Sequence, residues 1–127
     1  ELRRKRGGHL FSKHRYLSAQ MAAYLTDGLW LRLARAANET AARLEAAFRS
    51  HPDARLLYRR DANMVFASLP RALHRKLEAA GAHYYFWPGD PAPDGPDDEA
   101  LGARFVCSWS TTKSEIDGIA KVLAGAT

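Results

Sequence analysis

Arg104-Phe-Val-Cys-Ser-Trp-Ser-Thr-Thr-Lys-Ser-Glu-Ile-Asp117 is the stretch on which the fold turns. An arginine opens a short apolar run over 104–109 that fits a strand. A Ser/Thr turn follows, and then an amphipathic helix over 112–124. An arginine at a strand end, beside a turn, is placed to grip a carboxylate with both arms of its planar fork. The plain alternative is a surface arginine at a strand start. Residues 88–103 ahead of it carry four prolines, three glycines and several acids, the composition of an exposed loop. Before that loop, His83-Tyr-Tyr-Phe-Trp87 reads as a strand stopped by Pro88.

Further back, Arg55-Leu-Leu-Tyr-Arg59 and Met64-Val-Phe-Ala-Ser-Leu69 read as two strands around the turn-like Arg60-Asp-Ala-Asn63. Pro70 sits at the favoured first position of a helix that turns Leu73 and Leu77 inward, and Gly81 closes it. A long helix precedes the strands. Leu29, Leu33, Ala37, Ala41, Leu44 and Phe48 form one stripe, with Arg32, Arg35, Glu39 and Arg43 away from it. Asp27 is expected to cap its start, and His51-Pro52 ends it. Ahead of Thr26-Asp27-Gly28, a further helix is expected over 10–26, with Leu10, His14, Leu17, Met21 and Tyr24 on one face. Residues 16–26 carry no formal charge, so most of that helix's circumference calls for cover.

The order is helix, helix, strand, strand, helix, strand, strand, helix. It predicts an α+β fold, a short antiparallel sheet covered by helices on one face. Residues 1–27 are expected to be a basic segment and linking helix that packs on a missing domain or a second subunit. Residues 28–127 form the small domain.

At 127 residues and 46% hydrophobic content the chain can build a core. The net charge of +5 is local. Arg3, Arg4, Lys5, Arg6, Lys13 and Arg15 face a single acid, Glu1, and the body beyond is near neutral, an arm rather than a basic domain. The single cysteine, Cys107, excludes an internal disulfide, fits a cytoplasmic setting, and sits in an apolar strand as a packed thiol. The uncharged run 16–26 falls well short of the ~20 residues that span a bilayer, so no membrane partner is expected. The opening at Glu1 on a basic run reads as a cut through a longer polypeptide.

Several motifs fail as sites. Gly7-Gly8 lacks the spacing of a nucleotide-binding loop. The five histidines, His9, His14, His51, His74 and His83, show no metal-ligand spacing, and no metal is expected. Tyr84-Tyr85-Phe86-Trp87 is a possible stacking platform, but alternating burial along a strand accounts for it. Lys13 after the glycines has the form of a Schiff-base lysine, yet only 114 residues follow it and such a lysine needs a deep pocket.

Taken together, residues 5–20, 24–38, Asn63–Pro70, Gly81–Pro88 and 104–117 resemble, in order, the C-terminal part of threonine aldolases. These enzymes have the aspartate-aminotransferase-like fold and use pyridoxal 5'-phosphate. The resemblance implies that a large N-terminal domain holds the Schiff-base lysine and most of the cofactor's contacts. It assigns no catalytic residue to this chain. Arg104 matches the position that binds the substrate carboxylate. Arg15 matches an arginine that reaches the cofactor phosphate across a dimer interface. The implied reaction cleaves a β-hydroxy-α-amino acid to glycine and an aldehyde, with the cofactor ring as electron sink. The implied partners are an amino-acid substrate, the large domain, and further copies in a homodimer or homotetramer. Two other readings compete. One is a non-catalytic α+β ligand-binding or regulatory domain. The other is a nucleic-acid binder, which the acidic loop 90–99 argues against.

Overall fold

The computed structural model describes residues 1–10 and 12–125 and divides the chain into two compact units, Glu1–Arg32 and Leu33–Thr127. Phe11 and residues 126–127, and with them part of the expected helix 10–26, lie outside the described residues.

In the first unit, the basic run forms a short helix, α1 (Leu2–Arg6), with Lys5 paired to Glu1 at 3.2 Å. Helix α2 spans His14–Leu25, later in starting than the apolar spacing from Leu10 implied. None of its side chains is buried; Tyr16, Leu17, Met21, Tyr24 and Leu25 are all exposed. Asp27 does not cap the next helix as expected. It adopts a left-handed conformation, φ 50°, beside Gly28 at φ 66°, and its main-chain carbonyl accepts a hydrogen bond from the Arg32 guanidinium. Consecutive left-handed residues reverse the chain locally, a geometry glycine tolerates and aspartate adopts more readily than most residues.

Helix α3 runs Leu29–Arg49. Within the second unit its buried stripe is Ala37, Ala41, Leu44 and Phe48, the period the sequence implied. It faces a four-stranded sheet of β1 (Arg55–Leu56), β2 (Met64–Pro70), β4 (Ala100–Val106) and β3 (Tyr85–Phe86), in the spatial order β1-β2-β4-β3 and antiparallel throughout. Val65, Ala67 and Leu69 of β2 alternate into the core. They lie beside Ala103 and Phe105 of β4, with Cys107 just beyond the strand. Leu73 and Leu77 of α4 (Arg71–Ala79) and Ile116 and Leu123 of α5 (Lys113–Leu123) complete the same core. The helices thus cover one face of the sheet, and the α+β architecture is as the sequence implied.

Local signals explain the ends. Pro70 closes β2 and caps α4 rather than entering it. Past α4, Gly81 takes φ 86° while its N–H bonds the Glu78 carbonyl and the Ala82 N–H bonds that of Leu77. Together these form the paired closure that glycine makes possible. At α5, Thr112 and Glu115 each satisfy the other's backbone N–H, a reciprocal cap.

Two expectations need correction. The 88–103 loop ends earlier than its composition implied: Ala100–Ala103 pair with Ala67–Pro70 and form the first half of β4. The remaining loop is also pinned. Arg71, 5% exposed, donates to the Glu99 carboxylate and to the Ala92 carbonyl. The backbone N–H groups of Arg71 and Ala72 bond the carbonyls of Glu99 and Asp97.

Candidate functional site

Extending β4 back to Ala100 moves Arg104. The sequence placed it at a strand start on the edge of the sheet; it is instead the fifth of seven residues in a central strand. Side chains on a strand alternate between faces. Ala103 and Phe105 point into the core, so Arg104 projects from the face that the helices leave open. Register places Phe66 of β2 opposite it on one side and Tyr85 of β3 on the other.

This row is largely aromatic. The Arg104 guanidinium carbon lies 5.3 Å from the centre of the Tyr85 ring. Phe66 meets Tyr58 edge-on at 5.3 Å and Trp87 at 5.4 Å. Gly102, two residues before Arg104 on the same face, lies under the end of β3: a Cβ there would collide with the Trp87 carbonyl. The Trp87 N–H bonds the Gly102 carbonyl at 2.8 Å. Glycine at 102 therefore lets β3 close over β4 and brings Tyr85 to Arg104.

The electrostatics of the row are one-sided. Among the described residues Arg104 forms no ion pair, and its Nε is shielded from solvent without a hydrogen-bond acceptor. A buried donor left unsatisfied costs about 1–3 kcal/mol, so folds seldom keep one without a use. The edge formed by the two Nη–H groups, which Nε–H does not share, suits a carboxylate, which accepts both bonds in one plane. Among the described residues no carboxylate does so.

Other candidates are accounted for structurally. A cavity of about 400 Å³ lies between α4, α5 and the end of β4, lined mainly by apolar groups such as Leu44, Leu77, Phe105 and Ile116. Its titratable groups do not form a reactive set. Burial pushes the Cys107 thiol up, away from the thiolate, and the hydrogen bonds from Thr112 that cap α5 hold Glu115 low. A second cavity, of about 320 Å³, is lined by Arg71, His74, Arg75, Glu78 and Asp90. There Arg71 and Arg75 pair with Glu99 and Asp97. His74 is buried, bonded at Nε2 to the Leu101 carbonyl (3.0 Å) and at Nδ1 to the Tyr84 hydroxyl (2.9 Å). Burial holds its imidazole below its ordinary pKa, partly offset by the Leu101 bond, so Tyr84 donates to a neutral ring. Among the described residues no three His, Cys, Asp or Glu side chains are grouped to hold a metal ion. No helix among them is long and apolar enough to cross a membrane.

Arg15 lies in α2, in the first unit, with its guanidinium 5.4 Å from the ring of Tyr16. Lys13 is exposed at the start of α2. Arg15 and Arg104 therefore belong to different compact units. The aromatic setting of Arg104 went unread, because Phe66, Tyr85 and Trp87 come from two distant strands. The signal that could have found it is the alternation of Tyr84-Tyr85-Phe86-Trp87, which sends Tyr85 and Trp87 to the face opposite Phe86.

Over 120 residues, 94% of its length, the chain is 33% identical to a low specificity L-threonine aldolase of Pseudomonas sp. (strain NCIMB 10558). Over 121 residues it is 33% identical to the low specificity L-threonine aldolase of Pseudomonas aeruginosa. The resemblance to the threonine aldolases stands. The chain spans about a third of the length of these relatives, 32% in each case. The fold agrees as well: a threonine aldolase from Leishmania major superposes with a TM-score of 0.70 at 24% identity, over 84% of this chain and 29% of the other. No family model matches. The four-stranded sheet and its helices thus correspond to a portion of the threonine aldolase fold, and Arg104 lies on its central strand.

Proposed function

We propose that this chain is the C-terminal, substrate-gripping portion of a pyridoxal-phosphate-dependent threonine aldolase. In that enzyme Arg104 binds the carboxylate of a β-hydroxy-α-amino acid that is cleaved to glycine and an aldehyde. The observation that carries the proposal is the Arg104 guanidinium, which among the described residues has no ion pair, on the open sheet face between Phe66 and Tyr85. The relatives supply the reaction, since both are low specificity L-threonine aldolases.

The chain's own residues fit part of the cofactor's needs. Arg15 offers an exposed guanidinium for the phosphate, in the role the family resemblance gives it. Lys13, exposed at the start of α2, does not suit the covalent attachment, which falls to the large domain. When bound, the cofactor supplies an electron sink for the cleaved bond. Arg104 fixes the substrate by its carboxylate and so sets the direction of the Cα–Cβ bond, an orientational contribution to rate. The exposed apolar side chains of α2 pack against the large domain or a second copy in a dimer or tetramer. The protein acts in the cytoplasm.

The test is Arg104→Lys in the complete enzyme. Lysine keeps the charge but loses the planar fork, and KM for threonine is expected to rise by roughly one to three orders of magnitude. The control is Arg59→Lys, since Arg59 is exposed and among the described residues pairs with Asp61 alone, at 2.7 Å. It should change little. Equal KM in the Arg104 variant and the parent would remove Arg104 from the site.

A further inference from the structure

Two adjacent tyrosines of this chain have opposite surroundings. Tyr84 is tied into the fold: its hydroxyl bonds His74, and its ring lies 4.4 Å from that of Phe105. Tyr85 points the other way, is 69% exposed and takes no part in the core. Among the described residues its hydroxyl makes no hydrogen bond, and the one aromatic or cation–π contact of its ring is with the guanidinium of Arg104. An exposed ring held over a single cation is not there for packing.

Register brings the two side chains together. Tyr85 and Arg104 are direct partners on antiparallel strands, so their side chains leave the same face side by side. Phe66 stands on the other side, braced by Tyr58 and Trp87. A guanidinium is drawn to the negative face of a phenol ring, and the attraction constrains its plane as well as its position. A two-pronged grip on a carboxylate is sensitive to that plane, because both N–H groups must point at once.

We infer that Tyr85 is a positioning residue for Arg104, its ring orienting the guanidinium so that the Nη–H groups meet the substrate carboxylate. The inference rests on the reading of Arg104 as the carboxylate anchor. It assigns the ring of Tyr85, not the hydroxyl, as the working part.

Steady-state kinetics with threonine in the complete enzyme test it, using Tyr85→Phe, Tyr85→Leu, Arg104→Lys, Arg104→Ala, and the combination of Tyr85→Leu with Arg104→Ala. Tyr85→Leu should raise KM about three- to tenfold with kcat nearly unchanged, and Tyr85→Phe should restore the parent value. Added to Arg104→Ala, Tyr85→Leu should have no further effect, because nothing remains to be positioned. Independently of turnover, the Arg104 Nε–H resonance should shift in Tyr85→Leu and stay in place in Tyr85→Phe. An unchanged KM in Tyr85→Leu, while Arg104→Lys raises it, would overturn the positioning role and leave the anchor standing. A loss in Tyr85→Phe would assign the effect to the hydroxyl, and an undiminished effect of Tyr85→Leu beside Arg104→Ala would make Tyr85 act by itself; either overturns the inference. If Arg104→Lys leaves KM alone, the anchor itself is gone and the inference with it.

Discussion

Replacing Glu99 with alanine removes the carboxylate that, among the described residues, pairs with Arg71, and leaves the guanidinium where it is. The Arg71 side chain is 6% exposed and that of Glu99 43%. An isolated charge in a dry site costs about 3–5 kcal/mol when its partner is deleted. Glu99 is nearly half in water, which screens the pair and admits solvent once the carboxylate is gone. The Ala92 carbonyl still accepts from Nη1 at 2.9 Å. The expected loss is therefore about 2 kcal/mol, which in a unit of this size lowers Tm by about 8–16 °C. Arg71→Met should cost less, about 1 kcal/mol, because the thioether fills the stem volume and the abandoned carboxylate simply hydrates. Thermal melts of both variants and of the double variant give the comparison. Proteolysis within residues 88–99 should report release of the loop in each. If Arg71→Met proves clearly more damaging than Glu99→Ala, or neither moves Tm, the argument from unequal burial is refuted.

Other consequences can be checked in the same material. Gly102→Ala puts a Cβ against the Trp87 carbonyl; it should destabilise the protein by about 1–3 kcal/mol and speed hydrogen exchange at the Trp87 amide while sparing β2. His74 is buried neutral with its pKa lowered below 6.5, chiefly by burial, so the unfolded chain binds its proton first. Stability should be complete above pH 6.5 and fall as pH drops from there through the folded-state pKa, by at most about 1.4 kcal/mol per pH unit for one site. Melts of the parent and of His74→Gln between pH 5 and 7 should show that slope only in the parent.

Long-period signals in the sequence were dependable. The stripe Ala37, Ala41, Leu44, Phe48 follows from helical geometry alone, and the alternation Val65, Ala67, Leu69 from strand geometry, so both survive into the structure. Gly81 was legible because a left-handed closure is nearly glycine's own. What failed depended on distant partners. Ala100-Leu-Gly-Ala103 has little strand character, and only pairing with Ala67–Pro70 makes it one; hence Arg104 was set at an edge instead of the sheet centre. Arg71, following a proline at a helix start, looks like a surface cation until residues 92–99 fold back over it. The grip expected of Arg104 was read from a strand-end position that the structure replaces with a mid-strand one, and from the family resemblance. The alternation of Tyr84-Tyr85-Phe86-Trp87 hints at the rings, but only register brings Phe66 and Tyr85 to the two sides of Arg104.

The two outer strands of the sheet, Arg55–Leu56 and Tyr85–Phe86, are only two residues long. A border that short offers a foreign strand almost nothing to zip onto, so ladder-by-ladder growth toward fibrils is blocked at both sides. The broad uncovered surface has no such safeguard: Tyr58, Met64, Tyr85 and Val106 all stand more than 40% exposed. Handled apart from its natural surroundings, the protein should therefore self-associate by stacking plane on plane. Such clumping yields to dilution and mild detergent, and its remedy is to shelter the aromatic plane rather than to mend the margins.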